Sequence, residues 1–495
     1  MWALSAVAYR RLGAAGSAAA VLGGWAAGKL PAHDPWGLWV PHGALLTTSA
    51  AVLAYAGLTL LVVAWWQYGR AGASVRESLV TLAWWTAPML LAPPLYSADV
   101  YSYIAQGAMV IEGHDVYVVG PSVLDPGGLG GDAAASVGGH WTDTPAPYGP
   151  FFLVLARGVT WLTGGTIVPA VLGMRLIAVA ALLLIVWALR NLAREHGRSE
   201  STALWLGALN PLLLMHVVGG MHNDGLMIGL MLAGVVLTLR GRWISGSVLV
   251  GLAMMIKSPA AVALLFIGVI MISVVAGPYA RRLVKGLLGP GLVAAAVAVA
   301  TTLLAGTGFG WLATQNVAGT IHTALSATSD IGLGLGHLLH PLTGSDPATV
   351  KSVVQTLGLA AAVALILHLA WRALRGRTEP VHALGLALLA LVALSPMVQP
   401  WYLLWGTAVV AATAAHSRAG LVVAVLSAGL VYETHPTGST PPYGFVLAGA
   451  ACAIGATLVR RERTSPDTVR VPAPRSAEPP GAAEARVRRV ESGSV

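Results

Sequence analysis

Asp99 is the residue whose type and position best suit catalysis. It lies in the segment Tyr-Ser-Ala-Asp-Val-Tyr-Ser-Tyr (96–103), where an apolar stretch ends and a long polar loop begins. A carboxylate at the boundary between hydrocarbon and water is costly unless it has a function, and it can take a proton from an attacking hydroxyl. Asp99 is therefore the candidate general base, although capping of the following helix would also explain an aspartate there.

Two basic residues could meet a phosphate on the same side of the membrane. Lys257, in Met-Ile-Lys-Ser-Pro (255–259), lies in the hairpin between two apolar runs, beside a helix-breaking proline. Arg175 lies one or two turns into the apolar stretch that follows the polar loop, where a guanidinium needs an anionic partner. Lys257 is a candidate ligand for an anionic lipid headgroup, and Arg175 is a candidate ligand for a phosphate. For Lys257 the alternative is an ammonium group that merely extends to the membrane interface.

The segment Gly-Gly-Met-His-Asn-Asp (219–224) joins two apolar runs almost without a loop. Asp224 could cap the following helix, contribute to a polar site, or do both. His222 could bind a metal ion, but no second His or Cys lies at ligand spacing, which argues against zinc. His222, Asn223 and Asp224 are therefore candidate substrate-binding residues.

Aromatic residues mark two further segments that could bind a sugar. In Ser-Pro-Met-Val-Gln-Pro-Trp-Tyr (395–402) the prolines favour an extended connection, so that Trp401 and Tyr402 could pack on a sugar ring, with Gln399 beside them. Trp141 and Tyr148 could do the same from the polar loop. Aromatic residues are also common at membrane interfaces regardless of function.

The elements that must position these residues are membrane helices. The chain is 56% hydrophobic and 10% charged, with a mean hydropathy of +0.73, which excludes an ordinary soluble domain. We predict an all-α integral membrane protein, a polytopic bundle of about fourteen transmembrane helices. The predicted spans are 12–30, 44–66, 78–97, 167–190, 201–218, 225–239, 243–256, 259–276, 287–306, 349–371, 381–396, 402–416, 419–432 and 443–459.

Charge supports this topology. Most of the 29 Lys and Arg residues lie in alternate short loops, as the positive-inside rule requires if the N- and C-termini are cytoplasmic. The net charge of +9 is therefore a topology signal, and a nucleic-acid partner is excluded. The first helix is predicted to be retained rather than cleaved. The single Cys452 excludes an intramolecular disulfide bond.

The external loop should carry two interfacial helices. Residues 99–112 place Val100 and Ile104 on one helical face and Asp99, Tyr103 and Gln106 on another, which predicts an amphipathic helix lying on the outer surface. Residues 150–163 are apolar, but a span there would invert every later loop, so an interfacial or re-entrant helix is predicted. Residues 461–495 lack periodicity and are predicted to be a disordered cytoplasmic tail.

These segments together resemble the GT-C glycosyltransferases, and within them the actinobacterial α-(1→6) mannosyltransferases of the MptA/MptB group, MptB more closely. The segments that carry the resemblance are Tyr-Ser-Ala-Asp-Val-Tyr-Ser-Tyr-Ile-Ala-Gln-Gly (96–107), Tyr-Gly-Pro (148–150), His-Asn-Asp-Gly-Leu-Met (222–227) and Gln-Pro-Trp-Tyr (399–402). The resemblance covers residues 78–460, which it implies are a catalytic transmembrane module with an external catalytic loop at 98–166. The predicted spans place two N-terminal helices before this module, in 1–77.

The resemblance further implies transfer of mannose from polyprenyl-phosphate mannose, with inversion, to a mannosylated glycolipid of the lipomannan type on the outer face of the plasma membrane. Asp99 matches the acidic residue that is catalytic in the family. Many GT-C enzymes have paired acids there, so a divalent cation (Mg²⁺ or Mn²⁺) would need a second carboxylate from Asp224 or Glu112. Another GT-C activity, such as arabinosyl transfer, is the main alternative. A transporter is disfavoured, because the middles of the predicted spans are almost entirely apolar.

Overall fold

A computed structural model describes residues 5–274 and 277–464, and all regular secondary structure in these two ranges is helical. Short 3₁₀ turns at Ala87–Leu91, Pro121–Val123, Gly139–Thr142, Ser258–Ala261, Gly310–Asn316 and Pro400–Tyr402 join the longer elements. The helices are α1 Ala6–Ala27, α2 Ala44–Tyr68, α3 Val75–Thr86, α4 Asp99–Glu112, α5 Gly131–Val137, α6 Pro150–Thr163, α7 Ile167–Glu195, α8 Glu200–Leu206, α9 Pro211–Leu213, α10 Asp224–Leu239, α11 Trp243–Met254, α12 Val262–Val274, α13 Tyr279–Ala305, α14 Val317–Thr320, α15 Ala327–Thr343, α16 Pro347–Leu374, α17 Pro380–Ala393, α18 Leu403–Ala414, α19 Arg418–Leu430 and α20 Pro442–Thr464.

The helices are those of a membrane protein, but the count of fourteen spans is not confirmed. Within the described ranges, five helices are long and apolar enough to cross a bilayer: α2, α7, α13, α16 and the Pro442–Arg461 part of α20. A bent pair, Glu200–Leu206 with Pro211–Gly219, would make a sixth. Six other apolar helices of 10–17 residues, α6 and α10 among them, are shorter than the roughly 20 residues that a straight span needs.

Two of the predicted spans are interrupted for local reasons. The predicted span 78–97 is helical only to Leu91, because two prolines follow, and the chain is irregular up to Asp99, with a positive φ of 64° at Tyr96. The predicted span 201–218 bends by 54° between Leu206 and Pro211, and then continues as a π-helix over Leu214–Gly219. Such π segments are frequent at functional sites, and this one ends beside the His222 segment.

Helix α4 has the predicted boundaries but not the predicted environment. All residues from Val100 to Met109 are buried, including Tyr103 and Gln106 on the supposed polar face. Helix α6 covers α4: a Cβ atom on Gly107 would lie 2.5 Å from Thr160 Oγ1, and that hydroxyl donates to the carbonyl of Ile104. The expectation of a helix lying exposed on the outer surface was therefore wrong for α4.

By compactness the chain divides into residues 1–452 and residues 453–495. The large unit holds a continuous apolar core and every candidate site residue. Helix α15 was not predicted. Of the predicted tail at 461–495, the described part, up to Thr464, continues α20, and residues 465–495 lie outside the described ranges.

Candidate active site

Asp99 is held by contacts from two segments. Its backbone N–H donates to Ser97 Oγ at 3.0 Å, which fixes the start of α4. Its Oδ2 lies 3.1 Å from His222 Nδ1 and 3.4 Å from the hydroxyl of Tyr103, one turn along α4. The Asp99 side chain is 27% exposed, whereas His222 is fully enclosed. His222 and Tyr103 thus orient the Asp99 carboxylate, which remains partly exposed.

The charge state of Asp99 follows from these neighbours. Burial alone would raise the pKa of the carboxyl, but the His222 ring, the Lys257 ammonium and the Ser97 hydroxyl oppose it. The result is a pKa below the usual value for aspartate. Asp99 is therefore ionised at neutral pH and able to accept a proton.

The backbone and an indole ring fix His222 in turn. Met221 adopts a left-handed conformation with φ of 54°, which makes a sharp turn after the π-helix. The ring of His222 stacks on Trp401 with the centroids 3.7 Å apart. The N–H of Asn223 donates to the Tyr103 hydroxyl at 3.3 Å. The segment 219–224 thus positions Asp99 and does not itself line the cavities described below.

Lys257 and Asp224 form a second, buried pair. Lys257 Nζ donates to Asp224 Oδ2 at 2.7 Å, and Trp405 Nε1 donates to Asp224 Oδ1 at the same distance. The ammonium also lies 4.7 Å from the ring centre of Tyr402. Although burial disfavours the ammonium form, Asp224 outweighs it and raises the pKa of Lys257, which is therefore charged.

The Tyr-Gly-Pro segment explains how the Lys257 hairpin is held. The N–H of Gly149 donates to the carbonyl of Ile256 at 3.2 Å. A Cβ atom at position 149 would lie 2.5 Å from the carbonyl oxygen of Met255, so only glycine permits this approach. The start of α6 and the Lys257 hairpin are consequently one rigid assembly.

Two cavities meet at Asp99. We call the first, of about 410 Å³, the apolar cavity, because most of its lining is apolar or aromatic: Pro147, Tyr148, Pro259, Val262, Val317, Ile321, Leu359, Leu391, Pro396, Met397, Tyr402 and Trp405. Lys257 and the polar side chains of Ser258, Thr314, Gln315 and Ser395 also line it. We call the second, of about 680 Å³, the polar cavity; its lining includes Lys29, Ser97, His140, His322, Thr323, Glu433, Thr434, Thr437, Ser439 and Thr440. Both volumes are typical of ligand sites.

Asp99, Trp141, Ile321, Gln399 and Trp401 line both cavities. The carboxylate therefore lies on the wall between an apolar chamber with one buried ammonium group and a chamber rich in hydroxyl groups. A group bound in either chamber could approach the same carboxylate.

The structure brings seven of the thirteen predicted site residues to the cavities and leaves six behind them. The seven are Asp99, Trp141, Tyr148, Lys257, Gln399, Trp401 and Tyr402. Tyr103, His222, Asn223 and Asp224 are buried partners of Asp99 and Lys257, and Gln106 is buried within α4. Direct substrate contact by these five is therefore not what the structure indicates.

Arg175 is the largest departure from expectation. It is 2% exposed and lines neither cavity. A guanidinium saturated by carbonyl groups has no donor left for a phosphate, so a phosphate-binding role for Arg175 is wrong on physical grounds. It donates to the backbone carbonyls of Leu90, Ala92, Pro93, Val218 and Gly219. The backbone carbonyl oxygens at the ends of two helical segments, those preceding Asp99 and His222, therefore take the place of the anionic partner that the sequence led us to expect.

The donor set around Asp99 does not fit a divalent cation. In the described part of the chain, no group of three or more His, Cys, Asp or Glu side chains could hold a metal ion. Both oxygens of Asp224 are engaged by Lys257 and Trp405, so Asp224 cannot supply the second carboxylate. We derive no step through a metal ion.

Sequence reasoning missed two residues of the polar cavity that carry charged groups, Glu433 and Lys29. Glu433 was not singled out from the sequence, and it is 3% exposed in the structure. Its position directly after an apolar helix, like that of Asp99, was the available signal.

Comparisons with known proteins match most of the chain to a single family. Residues 10–273 match the N-terminal domain of the α-(1→6)-mannopyranosyltransferase family, and residues 328–461 match the MptB C-terminal domain. A probable α-(1→6)-mannopyranosyltransferase of Mycolicibacterium smegmatis is 35% identical, covering 91% of this chain and 87% of the relative. No solved structure matches the chain.

Two other relatives extend the comparison to both branches of the family. The α-(1→6)-mannopyranosyltransferase A of Mycobacterium tuberculosis is 34% identical, covering 91% of this chain and 89% of the relative. The α-(1→6)-mannopyranosyltransferase B of Corynebacterium glutamicum is 32% identical, covering 91% and 81% respectively.

Proposed function

The chain belongs to the α-(1→6)-mannopyranosyltransferase family, and on that premise we propose that it transfers mannose from polyprenyl-phosphate mannose to a mannosylated glycolipid. The observation that carries the proposal is the position of Asp99 between the apolar and the polar cavity. A lipid donor and a sugar acceptor differ in polarity as these two chambers do. The common wall is where their reacting atoms would meet.

The apolar cavity suits the donor. The isoprenoid chain would lie against side chains such as Val262 and Leu359, and the phosphate would meet the ammonium of Lys257. Since Asp224 keeps Lys257 charged and in place, the cation needs no reorganisation when the phosphate leaves. No second buried carboxylate lines this cavity among the described residues, so apart from Asp99 nothing there would repel a phosphate.

The polar cavity suits the acceptor. Its hydroxyl groups can exchange hydrogen bonds with sugar hydroxyls, and Trp141 offers an apolar ring to a sugar. Trp401 lines the same cavity, with its ring stacked on His222. Asp99 would accept the proton of the attacking hydroxyl, since its lowered pKa keeps it ionised.

The reaction would then be a single displacement. The 6-hydroxyl oxygen of the acceptor bonds to the anomeric carbon of mannose while its proton passes to Asp99. The bond between that carbon and the phosphate oxygen breaks on the opposite face, and its electron pair stays on the phosphate beside Lys257. Attack from the opposite face inverts a β-linked donor to an α-linked product, as in inverting glycoside hydrolysis with a sugar hydroxyl in place of water.

The topology predicted from the Lys and Arg pattern places this site on the external face of the plasma membrane, with both chain termini cytoplasmic. A donor carried by a membrane lipid is then available without a nucleotide sugar in that compartment. Membrane lipid is the expected surrounding, and the proposal involves no nucleic acid.

The test is transfer by membranes that contain this chain. Radiolabelled polyprenyl-phosphate mannose is offered with short α-(1→6)-linked mannosides, and the linkage of the product is analysed. Asp99→Asn should insert normally and lose on the order of 10²–10⁴ in rate, because the base is removed while the shape is kept. Asp125→Asn is the matched control, since Asp125 accepts a hydrogen bond from the N–H of Gly127 in the loop and lines neither cavity. Turnover of Asp99→Asn at the control rate would remove Asp99 from this role.

A further inference from the structure

The wall of the polar cavity that sequence reasoning missed is the loop Glu433–Thr440, between α19 and α20. Its Pro436 carbonyl accepts a hydrogen bond of 2.9 Å from the N–H of Tyr96. Gly438, with φ of 83°, comes so close that a Cβ atom there would lie 3.1 Å from the Cα atom of Ser97. The loop is therefore fixed against the segment that carries Asp99.

Glu433 is the charged group of this loop. Its Oε2 accepts a hydrogen bond of 2.7 Å from the hydroxyl of Thr434, and both residues are 3% exposed. Across residues 5–274 and 277–464, no Lys, Arg or His lies within ion-pair distance of it. Burial raises the pKa of the Glu433 carboxyl. Glu433 lines the cavity, and among the described residues only Thr434 donates to its carboxyl group.

Lys29 is a second charged group on the same cavity. Its backbone is fixed, because its N–H donates to the carbonyl of Pro94 at 2.8 Å and its carbonyl accepts from the hydroxyl of Tyr101 at 2.6 Å. Its side chain is half-buried, and within the described chain no carboxylate pairs with the ammonium. Glu433 and Lys29 line one chamber without pairing to each other.

The chemistry of this chamber selects the ligand. An anionic ligand would be attracted by Lys29 but repelled by Glu433, and a cationic ligand would be attracted by Glu433 but repelled by Lys29. A neutral polyhydroxyl compound satisfies both, since a sugar hydroxyl can donate to the carboxyl and accept from the ammonium. Thr437, Ser439 and Thr440 add hydroxyl groups to the same wall.

We propose that this wall is a second sugar-binding subsite, in which Glu433 and Lys29 hold the hydroxyls of the sugar that precedes the reacting one in the acceptor. The proposal rests on the proposed function, because it requires the acceptor to occupy the polar cavity. It implies that the substrate is an acceptor chain of at least two sugars, recognised one unit away from Asp99.

The test compares acceptors of different length with purified full-length protein in lipid nanodiscs. Two synthetic acceptors carry the same alkyl group, one on a single mannose and one on an α-(1→6)-linked trimannoside. For Glu433→Gln and for Lys29→Met we expect the KM of the trimannoside to rise about tenfold, the loss of one hydrogen bond to a charged group. The KM values of the single-sugar acceptor and of the donor should stay within about twofold of wild type.

Asp125→Asn is again the control, because Asp125 lies in the loop after α4 and lines neither cavity. Equal losses with both acceptors, or a raised KM for the donor, would show that the loop only supports Asp99 and would overturn the subsite. An unchanged KM for the trimannoside in both variants would overturn it as well. Failure of the wild-type protein to use either mannoside would instead refute the proposed function itself.

Discussion

Both carboxylate oxygens of Asp224 accept hydrogen bonds from protein side chains, so Asp224 positions another residue and does not itself contact substrate. Asp224 holds Lys257, and His222 holds Asp99. The sequence identified all four residues, because each stands where an apolar helix meets a polar turn. It could not identify the pairing, since the partners are more than thirty residues apart and chain order carries no information on which ends meet.

The Asp99–His222 contact predicts a change in pH dependence. Because His222 lowers the pKa of Asp99 against the effect of burial, His222→Gln should raise that pKa. The unprotonated carboxylate is the active form of a base, so the acid limb of kcat/KM should move to higher pH in the variant. In wild type this limb should lie below the ordinary range of aspartate, because the pKa of Asp99 is lowered. A pH–rate profile with coinciding acid limbs would contradict the contact's role.

We expect opposite results when Lys257 and Arg175 are each replaced by glutamine. Lys257→Gln keeps a donor toward Asp224 but removes the charge, so the KM for the lipid donor should rise about tenfold with an unchanged KM for the acceptor. Arg175→Gln leaves several buried carbonyls without donors, so it should lower the thermal midpoint and leave the donor KM of the folded fraction unchanged. Thermal unfolding and donor titration of both variants check this. A raised donor KM in Arg175→Gln alone would reverse our assignment.

Sequence patterns predicted helix boundaries well where the residues of the helix and its immediate neighbours determine them. The boundaries 99–112 and 150–163 agree with α4 and α6, because amphipathic periodicity and flanking glycines define them. The burial of α4 was not predictable, since it depends on α6 packing across Gly107. The bend at 207–210 was missed because the helix-breaking effect of Pro211 was not weighed within an apolar run. Helix α15 was missed because it has weak hydropathy and an internal proline, Pro341.

The contact of α4 with α6 predicts a stability difference between two glycines. Gly107→Val would push side-chain atoms into Thr160 and the backbone of Ala156, at a typical overpacking cost of about 1–3 kcal/mol. Gly158→Ala, on α6, meets nothing within 4 Å and should be neutral or slightly stabilising. Thermal unfolding in detergent measures both. Because α4 carries Asp99, activity should fall with Gly107→Val, whereas equal midpoints for the two variants would contradict the packing.

The whole molecule can be tested for orientation, which the Lys and Arg pattern predicts. On a Cys452→Ser background, Val118→Cys lies in the external loop and Arg242→Cys in a basic turn predicted to be cytoplasmic. Both wild-type side chains are exposed. A membrane-impermeant maleimide applied to intact cells should label position 118 and leave position 242 unlabelled until the cells are opened. The reverse labelling would place the Asp99 site on the cytoplasmic side.

The hydrogen bond between Tyr96 and Pro436 joins the beginning of the catalytic segment to the last external loop. A ribosome therefore delivers Asp99 long before it delivers the wall that completes the chamber around it. A chain that stops before Glu433 would lack this wall of the polar cavity. A chain terminated near residue 430 should accumulate as an inserted but silent protein, and supplying the missing C-terminal part as a separate polypeptide should restore transfer.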